Sequence, residues 1–270
     1  MSEKRFEATL GGVEIGTLAD EIVLLDIVEK TAEMDTQTVP LAWGEGLRRI
    51  RNARKSLSVE LHVAIRTQDV VRRAEIRDLL ADWAANDGAF KVNYRPDRVL
   101  YVKNDTPPAL GSSLNWTDEI VLTLTAYAVP YWQSAKATGH AFETKLLDSG
   151  ENWYANLINP DGNAGRAKVD AIIYHVGEEN LTHLHIKCGN TFFEFSGMNL
   201  EPGAIIMISY DDGILSVVDF ANVESDNSLL KYRTAESSDD LLAVPNQENA
   251  LQISADQPLE GRFTARGIWR

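Results

Sequence analysis

SLSVELHVAI (residues 56–65) is the stretch from which the class of fold can be inferred. Aliphatic residues occupy every second position from Leu57 to Ile65, and Glu60 and His62 lie between them. Side chains alternate between the two faces of a strand, so this pattern predicts a strand with one buried and one polar face. His62 is expected on the polar face. Similar alternation recurs along the chain and predicts a mainly β protein.

The next segment, about 69–87, predicts one amphipathic helix. Its apolar stripe has the spacing of helical neighbours and consists of Ile76, Leu79, Leu80 and Trp83. Trp83 is therefore expected in the core. Asp69 suits the N-cap, and Gly88 suits the C′ position that follows a helix. The helix would belong to an N-terminal β domain.

The second half of the chain predicts an all-β domain. Its short strand candidates, separated by turn residues, are 168–176, 181–188, 191–197, 203–220, 250–255 and 262–269. The segment 203–220 predicts a hairpin around Asp212-Gly213. Such short, regularly spaced strands are typical of a β-sandwich. The small and polar residues of 133–142 suggest the boundary, which gives domains 1–135 and 138–270.

The composition excludes several classes of protein. The chain has 270 residues, a net charge of −14 and one cysteine. The acidic excess is concentrated in the second half, which disfavours a nucleic-acid or anionic-membrane surface there. The basic run RRIRNARK (48–55) is interpreted as a solvated strand and loop. The start of the chain has no segment typical of a signal peptide, and no apolar run approaches the ~20 residues of a membrane span.

HLHIKC (183–188) contains residue types that bind zinc. On a strand, however, His183 and His185 share one face with Lys187, whereas Cys188 points to the apolar face. The two histidines could share a metal, with a third ligand from elsewhere such as His175. A structural zinc site needs four ligands, so we expect no metal here. The sequence has no G-x-S-x-G, P-loop, G-x-G-x-x-G or H-E-x-x-H motif, so we expect no cofactor and no catalytic residue. Asp211 and Asp212 are explained by a hairpin tip without calcium.

Several longer segments resemble a known family. Residues 48–104, which include Asp97, Arg98 and Tyr101, resemble the core of the N-terminal domain of siphophage distal tail (Dit) proteins. Residues 159–174, 200–213 and 244–253 resemble the galectin-like C-terminal β-sandwich of that family. The family often has Pro-Gly where this chain has Pro245-Asn246, and residues 20–46 match it least.

The resemblance implies a virion structural protein of the phage tail tip, or baseplate, and not an enzyme. Six copies would form a homo-hexameric ring through the first domain. The ring would join the tail tube protein to the tail-tip, tail-associated or receptor-binding proteins. DNA would pass through its lumen without specific binding, and assembly would take place in the host cytoplasm. The hairpin 6–15 is expected to contribute an edge to the ring contact.

Two other functions remain open from the sequence. A carbohydrate-binding β-sandwich would contact host cell-surface glycans through an aromatic platform, for which Trp153, Tyr154 and Trp269 are candidates. A metal-dependent hydrolase would depend on His183 and His185.

Overall fold

The structure is a computed structural model that describes residues 6–30, 33–40, 47–103, 119–211, 214–220 and 227–269; nothing is said of the side chains of residues 33, 47–53 and 211. The chain divides into two units, of which the first ends at Trp132 and the second begins at Gln133. The described elements are mostly strands, as the sequence predicts, with one α-helix and two short 3₁₀ helices. Within these residues, no helix is long and apolar enough to cross a bilayer.

The strands of the first unit form two sheets. They are β1 (Ala8–Leu10), β2 (Val13–Glu14), β3 (Ile22–Glu29), β4 (Glu33–Pro40), β5 (Leu47–Ile65), β6 (Gly88–Val92), β7 (Arg98–Val102) and β8 (Ile120–Ala126). One sheet has the order β2-β1-β6-β7 over these strands, and in the other β5 pairs with β3, β4 and β8. All of these pairings are antiparallel. A 3₁₀ turn, Ile15–Thr17, follows β2.

The C-terminal half of β5, from Leu57 to Ile65, lies in the core of the first unit. Val59, Leu61 and Val63 are fully buried, and the residues between them are partly exposed, which confirms the alternation expected from the sequence. The strand β3 pairs with residues 59–65 of β5, and β8 pairs with residues 57–63. Because a shift of one residue would turn the aliphatic face outward, burial fixes the register of both pairings.

The helix α1 (Val70–Ala84) lies within the predicted span and ends earlier than predicted. Asp69 is its N-cap, since its carboxylate accepts hydrogen bonds from the amides of Val71 and Arg72. The predicted C′ position of Gly88 is wrong, because Gly88 is the first residue of β6 and has a φ of 133°.

The buried face of α1 differs at one position from the predicted stripe. Ile76, Leu80 and Trp83 are buried, whereas Leu79 is 39% exposed. The expected burial of Leu79 is therefore wrong. Arg73 is buried on the inner face and donates a hydrogen bond from Nη1 to the carbonyl of Ile65 at 2.9 Å. This hydrogen bond to the backbone at the end of β5 thus stabilises the guanidinium of Arg73 on the buried face of α1.

The second unit contains two antiparallel sheets. Its strands are β9 (Trp132–Ser134, which begins on the last residue of the first unit), β10 (Thr138–Glu143), β11 (Lys145–Leu146), β12 (Asn152–Ile158), β13 (Ala167–His175), β14 (Leu181–Cys188), β15 (Thr191–Leu200), β16 (Ile205–Asp211), β17 (Ile214–Asp219), β18 (Leu242–Ala243), β19 (Asn249–Ala255), β20 (Leu259–Ala265) and β21 (Ile268–Trp269). One sheet has the order β10-β20-β13-β16-β17, with β18 paired to β13. The other has the order β11-β12-β19-β14-β15. A 3₁₀ turn spans Leu230–Tyr232.

One face of each of these sheets is buried, as in a β-sandwich. In β13, Val169, Ala171 and Ile173 are buried, and the intervening side chains are partly or fully exposed. The strands β16 and β17 form the hairpin expected at 203–220, and its turn residues Asp212-Gly213 lie outside the described residues. The core therefore follows from period-two burial, without a disulfide.

The loop after β18 contains the left-handed residue Asn246, whose φ is 55°. Asparagine adopts this conformation more readily than most residues other than glycine. Its side-chain amide donates a hydrogen bond to the carbonyl of Gly162. The Pro-Asn sequence thus provides the turn conformation for which glycine is the usual residue.

Removing the N-cap should destabilise the first unit. We expect Asp69→Ala to lower the free energy of unfolding by about 1 kcal/mol, because two helix amides lose their acceptor. Asp78→Ala, on the exposed side of the same helix, is the control and should change stability by less than about 0.5 kcal/mol. Urea unfolding followed by circular dichroism measures both, and equal effects would contradict the capping role.

Cys188 should be inert while the protein is folded. Its side chain is fully buried at the end of β14, and burial raises the pKa of the thiol to about 12. Because the thiolate is the reactive form, alkylation by iodoacetamide at pH 8 should be at least ~100-fold slower than that of a free cysteine. Mass spectrometry with and without denaturant measures this, and rapid alkylation of the native protein would refute the inward orientation.

Candidate functional site

The histidine pair lies on β14 with the alternation that the sequence predicts. Leu184, Ile186 and Cys188 are fully buried, whereas His183 and His185 lie on the opposite, partly exposed face. Cys188 therefore cannot join the histidines. Within the described residues, no group of three or more histidine, cysteine, aspartate or glutamate side chains is arranged to hold a metal ion.

Neighbouring side chains on the same face contact both histidines. His183 Nε2 lies 3.4 Å from Oε1 of Glu194 on β15, and the rings of His185 and Phe192 are 5.6 Å apart. Burial is the main cause that lowers the pKa of His185, which favours the neutral ring. These contacts give both imidazoles ordinary protein partners on a strand surface.

His175 does not complete the proposed metal set. It lies at the end of β13, in the other sheet of the sandwich, and is buried. Its Nδ1 lies 3.0 Å from the carbonyl oxygen of Glu201. The suggestion of His175 as third ligand is therefore wrong, because its strand belongs to a different sheet and its ring is packed inward.

The three aromatic residues predicted as a sugar platform lie in two different places. Trp153 and Tyr154 lie on β12, and both line an open groove of about 750 Å³ where β12 meets β10. Trp269 lies elsewhere, on β21, and its indole donates a hydrogen bond to Ser134 Oγ at 3.0 Å. Only the first two therefore form one candidate surface, which we call the β10–β12 groove.

Aromatic packing and a sharp corner build the β10–β12 groove. The ring of Phe142 contacts those of Tyr154 and Phe263 at 5.5 and 4.9 Å. The corner is Thr144, where the chain leaves β10 in one sheet and enters β11 in the other. Its amide and its hydroxyl both bond to the backbone of Leu259. The corner is thus held by hydrogen bonds to β20, and Glu143 and Lys145 lie on either side of it.

The rim of the groove carries charged side chains. Glu143 and Glu260 are direct partners in the β10–β20 pairing, and Lys145 pairs with Trp153 across β11 and β12. Like charges directly opposite each other on neighbouring strands are unfavourable. The groove presents the adjacent carboxylates of Glu143 and Glu260 beside Trp153, which is 37% exposed.

The first unit presents a different kind of surface, a two-stranded arm. The strand β4 pairs only with residues 47–56 of β5, and in the described part of the chain no third strand joins this region. The side chains of Met34 and of residues 36–40 are exposed, although successive residues point to opposite faces. We call residues 33–40 and 47–56 the β4–β5 arm.

The arm was not predicted from the sequence. The hairpin 6–15 was predicted instead as the edge that makes the ring contact. In the structure β1 is paired on both sides, by β2 and β6, and only the two-residue β2 lies at the edge. Ala8, Leu10 and Ile15 are buried core residues, so this hairpin is part of the fold of its own unit. The residues Thr36, Thr38 and Val39, which favour strands, were the available signal for the arm.

Comparison with known proteins gives a likeness at the level of the fold. No family model and no curated protein matches the sequence. Among solved structures, the Dit protein of phage SPP1, a hub of the adsorption apparatus in phages that infect Gram-positive bacteria, is similar with a TM-score of 0.62 and 12% identity. The match covers 97% of this chain and 99% of that one. A chain of the phage P2 baseplate in its activated conformation with Ca gives a TM-score of 0.49, 8% identity and 97% coverage of both chains. The chain therefore has the fold of the SPP1 Dit protein over nearly its whole length.

Proposed function

We propose that this protein is a structural hub of a phage tail tip and that it has no enzymatic role. The observation that carries the proposal is the full-length match to SPP1 Dit, because it covers 97% of this chain and therefore both of its units. A fold alone does not determine function, so the proposal also rests on the arm. In this role the protein joins the tail tube protein to the tip and receptor-binding proteins of the virion.

The ring is a homo-hexamer in this proposal, and the β4–β5 arm makes its contact. A two-stranded ribbon is marginally stable in water unless another surface packs on it. The described side chains of β4 are exposed on both faces of this strand, so a neighbouring copy could cover it and leave its own arm for the next copy. Such a head-to-tail contact closes into a ring when the rotation between subunits fits.

The charge of the arm supports a sister chain as its partner. Residues 47–56 contain five basic residues and no acidic one, whereas the whole chain has a net charge of −14. An acidic surface on the neighbouring copy would be attracted to this strand, and the attraction would weaken with salt. In this proposal the basic run 48–55 contacts protein and not DNA.

The mass of the native assembly tests the ring. We expect a particle of about 180 kDa, six times the 30.0 kDa chain, in sedimentation velocity at low micromolar concentration. The double change Arg48→Glu/Arg51→Glu should shift the population to the monomer, since it reverses the charge of the arm. The same change in net charge at exposed positions outside the arm, Lys91→Glu/Lys136→Glu, is the matched control and should leave the ring intact.

The two parts of this proposal fail separately. A wild-type protein that stays at 30 kDa at every concentration and salt tested would overturn the hexamer. A stable ring in the arm variant, with the same mass as the control, would instead overturn the assignment of the contact to the β4–β5 arm.

Duplex DNA should bind weakly, because a conduit for DNA must not hold it. Because the chain has a net charge of −14, we expect the dissociation constant for a 20-base-pair duplex to exceed about 100 μM at 50 mM salt. Fluorescence anisotropy measures this. A dissociation constant below about 10 μM that rises steeply with salt would contradict the proposal, since it would mean that the basic run contacts phosphates.

A further inference from the structure

The sandwich of the second unit is closed on one side by its own chain. Beside β17, the amide of Leu229 donates to the carbonyl of Val217, and the amide of Asp219 donates to that of Asn227. Beside β15, the amides of Thr234 and Ser238 donate to the carbonyls of Glu194 and Phe192. The segment 227–238 thus covers both strand edges on this side.

The opposite side, formed by β10, β11 and β12, remains open and carries exposed apolar residues. Leu146 is 70% exposed, and Leu147, Trp153 and Leu157 are exposed as well. The β10–β12 groove lies here, with Phe142 and Tyr154 packed against each other in its lining. An exposed apolar surface with a few converging polar groups is the usual form of a binding site.

We propose that the β10–β12 groove binds a neutral oligosaccharide. The exposed indole of Trp153 offers a flat apolar surface for the C–H face of a sugar ring. Glu143 and Glu260, opposite each other on neighbouring strands, offer acceptors for adjacent hydroxyl groups, with Cβ atoms about 5 Å apart. The groove volume of about 750 Å³ lies within the range of small-molecule sites.

The same residues disfavour other occupants. Two carboxylates and one ammonium, that of Lys145, line the groove, so an anionic ligand such as a phosphate polymer would be repelled. A peptide that adds as a strand needs an unpaired edge; β11 has only two residues, and on β10 the hydroxyl of Tyr154 already donates to the carbonyl of Ala141. The remaining chemistry, an aromatic face next to hydrogen-bond acceptors, fits a sugar with free vicinal hydroxyls.

Titration calorimetry of the full-length protein with four probes tests the inference. The probes are maltotetraose, cellotetraose, chitotetraose and the anionic trigalacturonate. We expect at least one neutral probe to bind with a dissociation constant of about 0.1–1 mM, and trigalacturonate to bind at least about tenfold more weakly. Trp153→Ala should weaken binding by at least about tenfold, and the isosteric Glu260→Gln by about three- to tenfold.

Tyr101→Ala provides the matched control, because Tyr101 is an aromatic residue 40% exposed on β7 that does not line the groove. It should change the affinity by less than about twofold. Circular dichroism establishes that each variant is folded, and Glu260→Gln keeps the inference testable if Trp153→Ala is unstable.

Three results would overturn the inference. They are the absence of binding to all three neutral probes below about 10 mM, stronger binding of trigalacturonate than of any neutral probe, and equal affinity of the Trp153 and Tyr101 variants. The readout is affinity and not mass, so its outcome is separate from that of the ring proposal.

Discussion

Burial of the aliphatic face of β5 is the constraint on which the first unit depends. Leu57, Val59, Leu61, Val63 and Ile65 form a continuous apolar row, and β3 and β8 can pair with this strand only in registers that keep the row covered. At ~25 cal/mol per Å², five such side chains contribute several kcal/mol, comparable to the whole stability of a domain. The same strand has ten residues before this row, 47–56, and five of them are basic. One strand therefore belongs both to the core and to the arm.

Period-two alternation made much of the fold predictable. It located β14 at 181–188 with the observed bounds and placed Cys188 inside and the histidines outside. It also selected the buried residues of β5. In each case the signal is local, because strand geometry alone decides which face a side chain takes.

Features that depend on distant partners could not be predicted from the sequence. Arg73 is buried because the carbonyl of Ile65 lies within its reach, and a charged residue gives no sign of burial beforehand. The buried face of α1 includes Arg73 and Ile76, and Leu79 lies outside it. The β10–β12 groove combines residues more than 100 positions apart, Glu143 and Glu260, so Trp153 could be named as a candidate but its neighbours could not.

The two units treat exposed strand edges in opposite ways. In the second unit, the segment 227–238 covers the edges of β15 and β17, which prevents uncontrolled pairing with other chains. In the first unit, by contrast, the β4–β5 arm leaves one strand exposed on both faces and keeps basic residues on the other. Charge on an edge normally blocks pairing between like strands, because two such strands repel each other. A basic arm on an acidic chain therefore disfavours contact between two arms and favours contact between an arm and a different, acidic face. A contact between an arm and a different face is the kind that a head-to-tail ring uses, because each copy then meets its two neighbours through two different surfaces.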